Sequence, residues 1–257
     1  MTKPRNYQTE AIIIKKTRLG EADRILTLYT PYLGKIQAVA KGVRRPRSKM
    51  SGHLELLTYS QVSLARGRNL DTVTGAQTIN SFMTLKSDLE LTAQALYVTE
   101  LINQFTVDHI ENYSLFRILS ETLESLGRTS NKAFILPYFE LHLLNKVGYR
   151  PQLRECVACH RSLEPTTNYF SPGAGGMLCP DCRRSQPFTY TVPVNVLKVL
   201  RFLQDSDFNT ASRLKLDTEL SRQLATVMRG NIRYLLEREV KSTAWLDSLQ
   251  EQMKGDI

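Results

Sequence analysis

Two groups of residues in this sequence have the types and spacing that do chemistry. Cys156 and Cys159, followed by Cys179 and Cys182, make the pattern C-x2-C-x19-C-x2-C. Each pair can place two thiolates about 2.3 Å from one metal ion, and the loop between the pairs brings them together, as in zinc ribbons. All four cysteines of the chain are used and no unmatched thiol remains. The pattern predicts one structural Zn2+ per chain, because four thiolates leave no open position for a catalytic water. A redox pair or buried free cysteines are the alternatives, since C-x-x-C also suits thiol exchange. His160, next to Cys159, is a competing ligand.

The second group is the stretch KGVRRPRSKM at 41–50, where Lys41, Arg44, Arg45, Arg47 and Lys49 occur with no acid among them. Cations so spaced fit phosphates, a contact that is independent of base sequence and sensitive to salt. A merely solvated loop is the competing reading. Lys35, Arg66 and Arg68 extend the same track, and Tyr29 and Tyr32 either stack on bases or serve the core and a turn. Lys15, Lys16 and Arg18 sit in a first hairpin and can simply blunt a sheet edge.

Signatures of catalysis are lacking. There is no P-loop, G-x-G-x-x-G, H-E-x-x-H or G-x-S-x-G. His53, His109, His142 and His160 are scattered without evident carboxylate partners. Asp205 and Asp207 read more simply as a helix end and a cap than as a Mg2+ site. The expectation is a protein that is not an enzyme.

The elements that would position these groups fall into three parts. Residues 1–80 alternate with the period of strands at Thr9–Lys16, Asp23–Thr30, Gly34–Lys41, Leu57–Arg66 and Asp71–Asn80. Five short strands with a break after the third suit a small closed barrel, an OB-fold or an SH3-like one. From residue 81 the period is helical: a segment opened by Ser87 and Asp88, another from Ser114 to Leu126 stopping at Gly127, one over about 133–147 despite Pro137, one from Pro193 to Leu203, and a last one from Thr218 to Val240. Between about 151 and 188 neither period holds, so the metal loop is an insertion into an all-α domain spanning 81–257. On the last helix Arg222, Arg229 and Arg233 form a stripe, solvated by default, with binding of DNA or an acidic partner as the alternative.

Charge follows this division. Residues 1–80 hold 14 Lys/Arg against 5 Asp/Glu, a net +9, whereas residues 81–257 hold 20 of each. A basic balance confined to one segment points to a polyanion-binding module on a neutral scaffold. The N-terminal MTKPRNYQTE is polar and no apolar run approaches the roughly 20 residues needed to cross a bilayer. A cytosolic protein is expected, and in that compartment disulfides are not.

The order and wording of the segments resemble the RecO family of bacterial recombination mediators over nearly the whole chain. The most specific stretches are TRLGEADRILTLYTPYLGKIQAVAKGVRRPRSK, YFELHLLNKVGYRPQLREC and GGMLCPDC. The resemblance implies an N-terminal OB-fold, a helical domain and a four-cysteine zinc site. It implies binding of single- and double-stranded DNA, strand annealing, and action with RecR and the single-stranded DNA-binding protein to load RecA on gapped DNA. Association with the nucleoid and contact with the acidic, apolar-ended C-terminal tail of the single-stranded DNA-binding protein follow from it. For that tail Arg117, Arg128 and Lys132, bracketing a helix end near Gly127, are candidates, with ordinary surface charge as the alternative. A nucleic-acid-processing enzyme or an RNA-binding regulator with a structural zinc is the competing function.

Overall fold

Alternation of buried and exposed residues builds the first half of the chain, for which the computed structural model describes residues 4–129 and 131–246. Strands β1 (Asn6–Leu19), β2 (Asp23–Thr30), β3 (Gly34–Ala40), β4 (Tyr59–Ala65) and β5 (Asp71–Asn80) close a barrel in the order β1-β2-β3-β5-β4. Neighbours are antiparallel except β3 and β5, which run parallel with Ala38 opposite Asp71. Ile13, Leu26, Leu28, Ile36, Val62, Leu64 and Val73 fill the interior, joined by Val43 and by Leu54 of a short 3-10 helix, Gly52–Leu54. A break in register leaves one extra residue in β1 between Ile13 and Lys15. Ile12, Ile13 and Ile14 are all buried, Ile13 inside the barrel and, by strand alternation, its two neighbours on the opposite, covered face.

Three helices belong to the same compact unit: α1 (Met83–Lys86), α2 (Leu89–Phe105) and α3 (Tyr113–Arg128). Asp88 caps α2, its carboxylate accepting from the Leu91 N–H at 3.0 Å. Helix α3 does not stop at Gly127 as expected: this glycine stays helical, against Thr84 and Leu85 of α1. Phe116 of α3 covers Tyr29, whose ring is fully buried at a centroid distance of 6.3 Å. Residues 241–246 return to this unit and are helical. The Glu100 carboxylate caps that turn, accepting from Lys241 N–H at 3.0 Å and from Ser242 N–H and Oγ at 2.9 and 2.7 Å.

Arg128–Val240 form the second unit. Its helices are α4 (Ile135–Lys146), α5 (Val194–Asp205), α6 (Phe208–Ala211) and α7 (Thr218–Leu236). Pro137 is accommodated because it lies in the first turn of α4, where N–H groups have no intrahelical acceptor. Helix α7 ends at Leu236, short of Val240, with Glu237 in the left-handed region at φ 53°. The expected insertion holds β6 (Asn168–Ser171) and β7 (Gly176–Leu178), and β8 (Tyr190–Val192), just beyond its expected end at 188, completes a small sheet of order β7-β6-β8. His142 is structural: its Nε2 lies 3.0 Å from the Leu203 carbonyl and its ring stacks on Tyr138.

Gly34 is required where it stands. Its φ is +63°, and a Cβ there would lie 2.1 Å from the Ile110 carbonyl oxygen. Gly34→Ala should therefore destabilise the first unit by at least about 2 kcal/mol, read as a fall in melting temperature; an unchanged melt would contradict this packing.

Candidate nucleic-acid interface and metal centre

The cationic loop is rigid at its base and free at its side chains. Gly42 N–H donates to Asp23 Oδ1 at 2.7 Å, Arg44 N–H to the Ala22 carbonyl at 2.9 Å, and Ser48 N–H to the Arg45 carbonyl at 2.9 Å, while Val43 is buried in the barrel. The β1–β2 turn thus fixes the loop as it leaves β3. Lys41, Arg44, Arg45, Arg47 and Lys49 remain exposed. Arg44 reaches the Gly20 carbonyl at 3.3 Å, and among the described residues no carboxylate pairs with any of the five. Like charges held this closely repel one another, and a polyanion relieves the repulsion while releasing its condensed counterions.

The other expected members of the track fare differently. Lys35 is a correction: it is 9% exposed, and its ammonium donates to the carbonyls of Asn103 at 2.8 Å and Thr106 at 2.6 Å, with Asp108 at 3.3 Å. It satisfies the carboxyl end of α2, where unpaired carbonyls and the helix dipole favour a cation, so it is not available to phosphate. Arg66 and Arg68 are exposed in the β4–β5 turn, the Arg66 guanidinium lying 4.7 Å over the Tyr7 ring. Because β5 starts opposite Ala38 and runs parallel to β3, this turn lies beside the later half of β3, while the cationic loop continues past the end of β3. Tyr29 belongs to the core, and Tyr32, 62% exposed, stacks on Tyr113 at 5.4 Å. Lys16 pairs with Glu55.

Helix α3 ends at Arg128, so a helix end does lie near Gly127 as expected, but Arg117, Arg128 and Lys132 are not shown to converge there. Arg117 instead donates to Glu121 at 2.9 Å, and Arg128 and Lys132 belong to the second unit. On α7, Arg222 pairs with Glu219, and Arg233 with Glu239 beyond the helix end. Asp205 receives Arg150 and Arg154, and Asp207 caps α6, so neither is a cation ligand here.

The four cysteines converge. All four Sγ atoms lie within 4.8 Å of one another, and those of Cys159 and Cys179 are 3.9 Å apart. Tetrahedral coordination at 2.3 Å requires S···S edges of about 3.8 Å, so the residues fit a metal ion. Cys156 and Cys159 are held by a turn closed by Cys156 N–H to the Arg161 carbonyl and His160 N–H to the Cys156 carbonyl. Strand β7 delivers Cys179 to a 3-10 helix, Pro180–Ser185, that carries Cys182. His160 stays exposed and outside the cluster. Arg161, which the sequence reading did not single out, donates from its backbone and guanidinium to Cys159 and lowers that thiol to about 6. Sharing with Cys179, then burial, pushes Cys182 up to about 12. Opposed shifts of this kind express the difficulty of ionising four thiols in one small volume without a cation to neutralise them.

Replacement of Lys35 separates architecture from binding. Lys35→Met should lower stability by about 1–3 kcal/mol, because it leaves carbonyls at the end of α2 unsatisfied, and should leave the salt dependence of DNA binding unchanged. A flattened salt dependence would return Lys35 to the interface.

Comparison with known proteins agrees with this arrangement from end to end. The family model described as Recombination protein O N terminal matches residues 1–82, and that described as Recombination protein O C terminal matches residues 86–244. The "DNA repair protein RecO" of Dehalococcoides mccartyi is 52% identical, with 97% of this chain and 98% of that protein covered. The protein of the same name from Roseiflexus sp. is 39% identical over 97% of this chain and 88% of its own length. That of Desulforamulus reducens is 31% identical over 97% of both. With both halves matched in order and relatives aligned along almost their full length, the chain belongs to the RecO family of DNA repair proteins.

Proposed function

We propose that this chain is a DNA-binding and strand-annealing recombination mediator that works without covalent chemistry. The observation that carries the reading is the loop 41–49, five exposed cations without carboxylate partners among the described residues, on a base hydrogen-bonded to the barrel. The strand order β1-β2-β3-β5-β4 with a parallel β3–β5 pair supports an OB-type barrel, a fold suited to single strands. Arg44, Arg45 and Arg47 would hold phosphates past the end of β3, with Arg66 and Arg68 in the β4–β5 turn. Family membership supports action with RecR and the single-stranded DNA-binding protein to load RecA on gapped DNA in the cytoplasm, at the nucleoid.

The acidic, apolar-ended tail of the single-stranded DNA-binding protein needs an apolar cleft edged by cations. Such a cleft, of about 410 Å3, lies in the first unit. Ile14, Leu96 and Trp245 give it apolar walls, and Lys15 and Lys241 edge it. It supports tail binding better than Arg117, Arg128 and Lys132 do. Lys241→Glu should weaken binding of a tail peptide about tenfold or more, a change of roughly 1.4 kcal/mol, measured by fluorescence anisotropy; unchanged affinity would remove the cleft from this role.

Zn2+ is the metal that four cysteine thiolates suit best. It would be held by Cys156, Cys159, Cys179 and Cys182 and would supply positive charge that keeps the thiolates together, with no part in a reaction. Elemental analysis of protein purified without chelator should find one zinc per chain, and Cys179→Ser should lose it and destabilise the second unit while sparing barrel contacts. Folded protein of unchanged melting temperature without metal would contradict the structural role.

The DNA reading is tested by titrating salt. Replacing Arg44, Arg45 and Arg47 together with Ala should weaken single-strand binding and flatten the slope of log K against log salt by about two units, at roughly 0.7 per phosphate contact. Complementary strands should anneal without nucleotide or Mg2+. An unchanged slope would assign the loop to solvent, and a strict need for nucleotide would favour an enzyme.

A further inference from the structure

Like charges set directly opposite one another in a sheet need a reason, because they repel. In the β1–β2 ladder Arg18 stands opposite Arg24, one step before Leu19 and Asp23 lead into the turn. Residues so paired share a face, with Cβ atoms about 4.5–5.5 Å apart. Arg18 is exposed and Arg24 half-buried, and neither guanidinium has an ion pair or hydrogen bond among the described residues. The charges beside them do not neutralise them. Lys16 pairs with Glu55, Asp23 accepts from the Gly42 N–H, and Glu21 is exposed in the turn.

Register also fixes the face on which the pair lies. Arg24 stands opposite Ala40 of β3 as well as Arg18 of β1, and Ala40 belongs to the interior of the barrel with Ala38, Leu26 and Leu28. Arg18 and Arg24 are therefore on the inner face, at the rim, one inner position beyond Leu26. Val43, three residues after β3, enters the interior from this same end. Its neighbour Arg44 is tied to the β1–β2 turn twice, by its N–H to the Ala22 carbonyl at 2.9 Å and by its guanidinium to the Gly20 carbonyl at 3.3 Å. Three arginines thus meet at one end of one hairpin, two by register and the third through the turn.

We propose that Arg18 and Arg24 are a phosphate-binding pair which, with Arg44, carries the nucleic-acid path from the loop 41–49 across the barrel rim onto the β1–β2 hairpin. A phosphate seated between two guanidinium groups replaces their repulsion by two charge-assisted attractions, and its planar-fork donors match the phosphate oxygens. The pair is strained in the free protein and relieved by its ligand, a sacrifice of stability for binding. Protection of a strand edge, the ordinary use of a cation there, calls for one charge and not for two set against each other. A strand with a charge at every residue fits a track that continues into the five cations of the loop. The inference rests on the DNA reading of that loop and adds two contacts that lie outside it.

The test uses the full-length chain, thermal melts without DNA, and fluorescence anisotropy with labelled oligothymidine or oligoglutamate. Arg18→Gln with Arg24→Gln should flatten the slope of log K against log salt for oligothymidine by about 1.4 units, two contacts at roughly 0.7 each. The same variant should melt about 1–2 °C higher, because the repulsion has gone. Either single replacement should bring nearly the whole of that gain, since removing one member already abolishes the pair. Arg24→Glu, which sets an acid opposite Arg18, should melt higher still and bind oligothymidine more weakly. A purely structural pair would lower the melting temperature when removed. An unchanged salt slope, a lower melting temperature in the double variant, or a loss confined to oligoglutamate would each overturn the inference. If the Arg18 and Arg24 variant binds oligothymidine like the parent while the Arg44, Arg45 and Arg47 variant loses affinity, the rim pair falls and the loop reading stands. If neither variant loses affinity, both fall together.

Discussion

Closure of the barrel depends on β1, which is long enough to pair with β2 on one side and β4 on the other. Ile12 is the hinge of this double pairing, opposite both Tyr29 and Tyr59. Once β1 has joined both neighbours there is no free edge, and backbone polar groups are satisfied around the ring. By ordinary alternation Ile13 points into the barrel while Ile12 and Ile14 take the opposite face. The exposed cations of the loop 41–49 and of the β4–β5 turn lie between strands.

What was legible in the sequence was whatever depends on local period and spacing. Alternation marked five strands, and the Gly, Pro and Asp punctuation marked most helix ends, because these signals act within a few residues of where they are written. The C-x2-C pairs were legible because a metal dictates its own geometry. Lys35 was misread because period places a side chain on the outer face of a strand without saying what will cover it, and here α2 supplies carbonyl groups to a buried ammonium. Strands of three or four residues such as β7 and β8 are too short to alternate visibly, so the small sheet was hidden. Averaging residues 81–257 to zero hid 16 Lys/Arg against 10 Asp/Glu over residues 128–240, a net +6.

Around the metal centre the protein distributes its charge with care. Four thiolates would carry four negative charges, of which a divalent ion removes two, so the remainder must be shared with donors nearby. Arg161 supplies such donors and is itself tied to Asp181 at 3.2 Å.

The Glu100 cap joins the two ends of the first unit. Glu100 lies on α2, but the amides it receives belong to Lys241 and Ser242, after the whole second unit has been passed. The second unit is therefore a continuous stretch inserted into a discontinuous one. During synthesis the barrel and its first helices emerge early, yet their final cover arrives only after the whole second unit has been made. Until then Ile14 and Leu96 lack the turn at 241–246 that shares their cleft, and the Glu100 carboxylate lacks its donors. The nascent chain thus leaves its first unit incomplete while it makes its second.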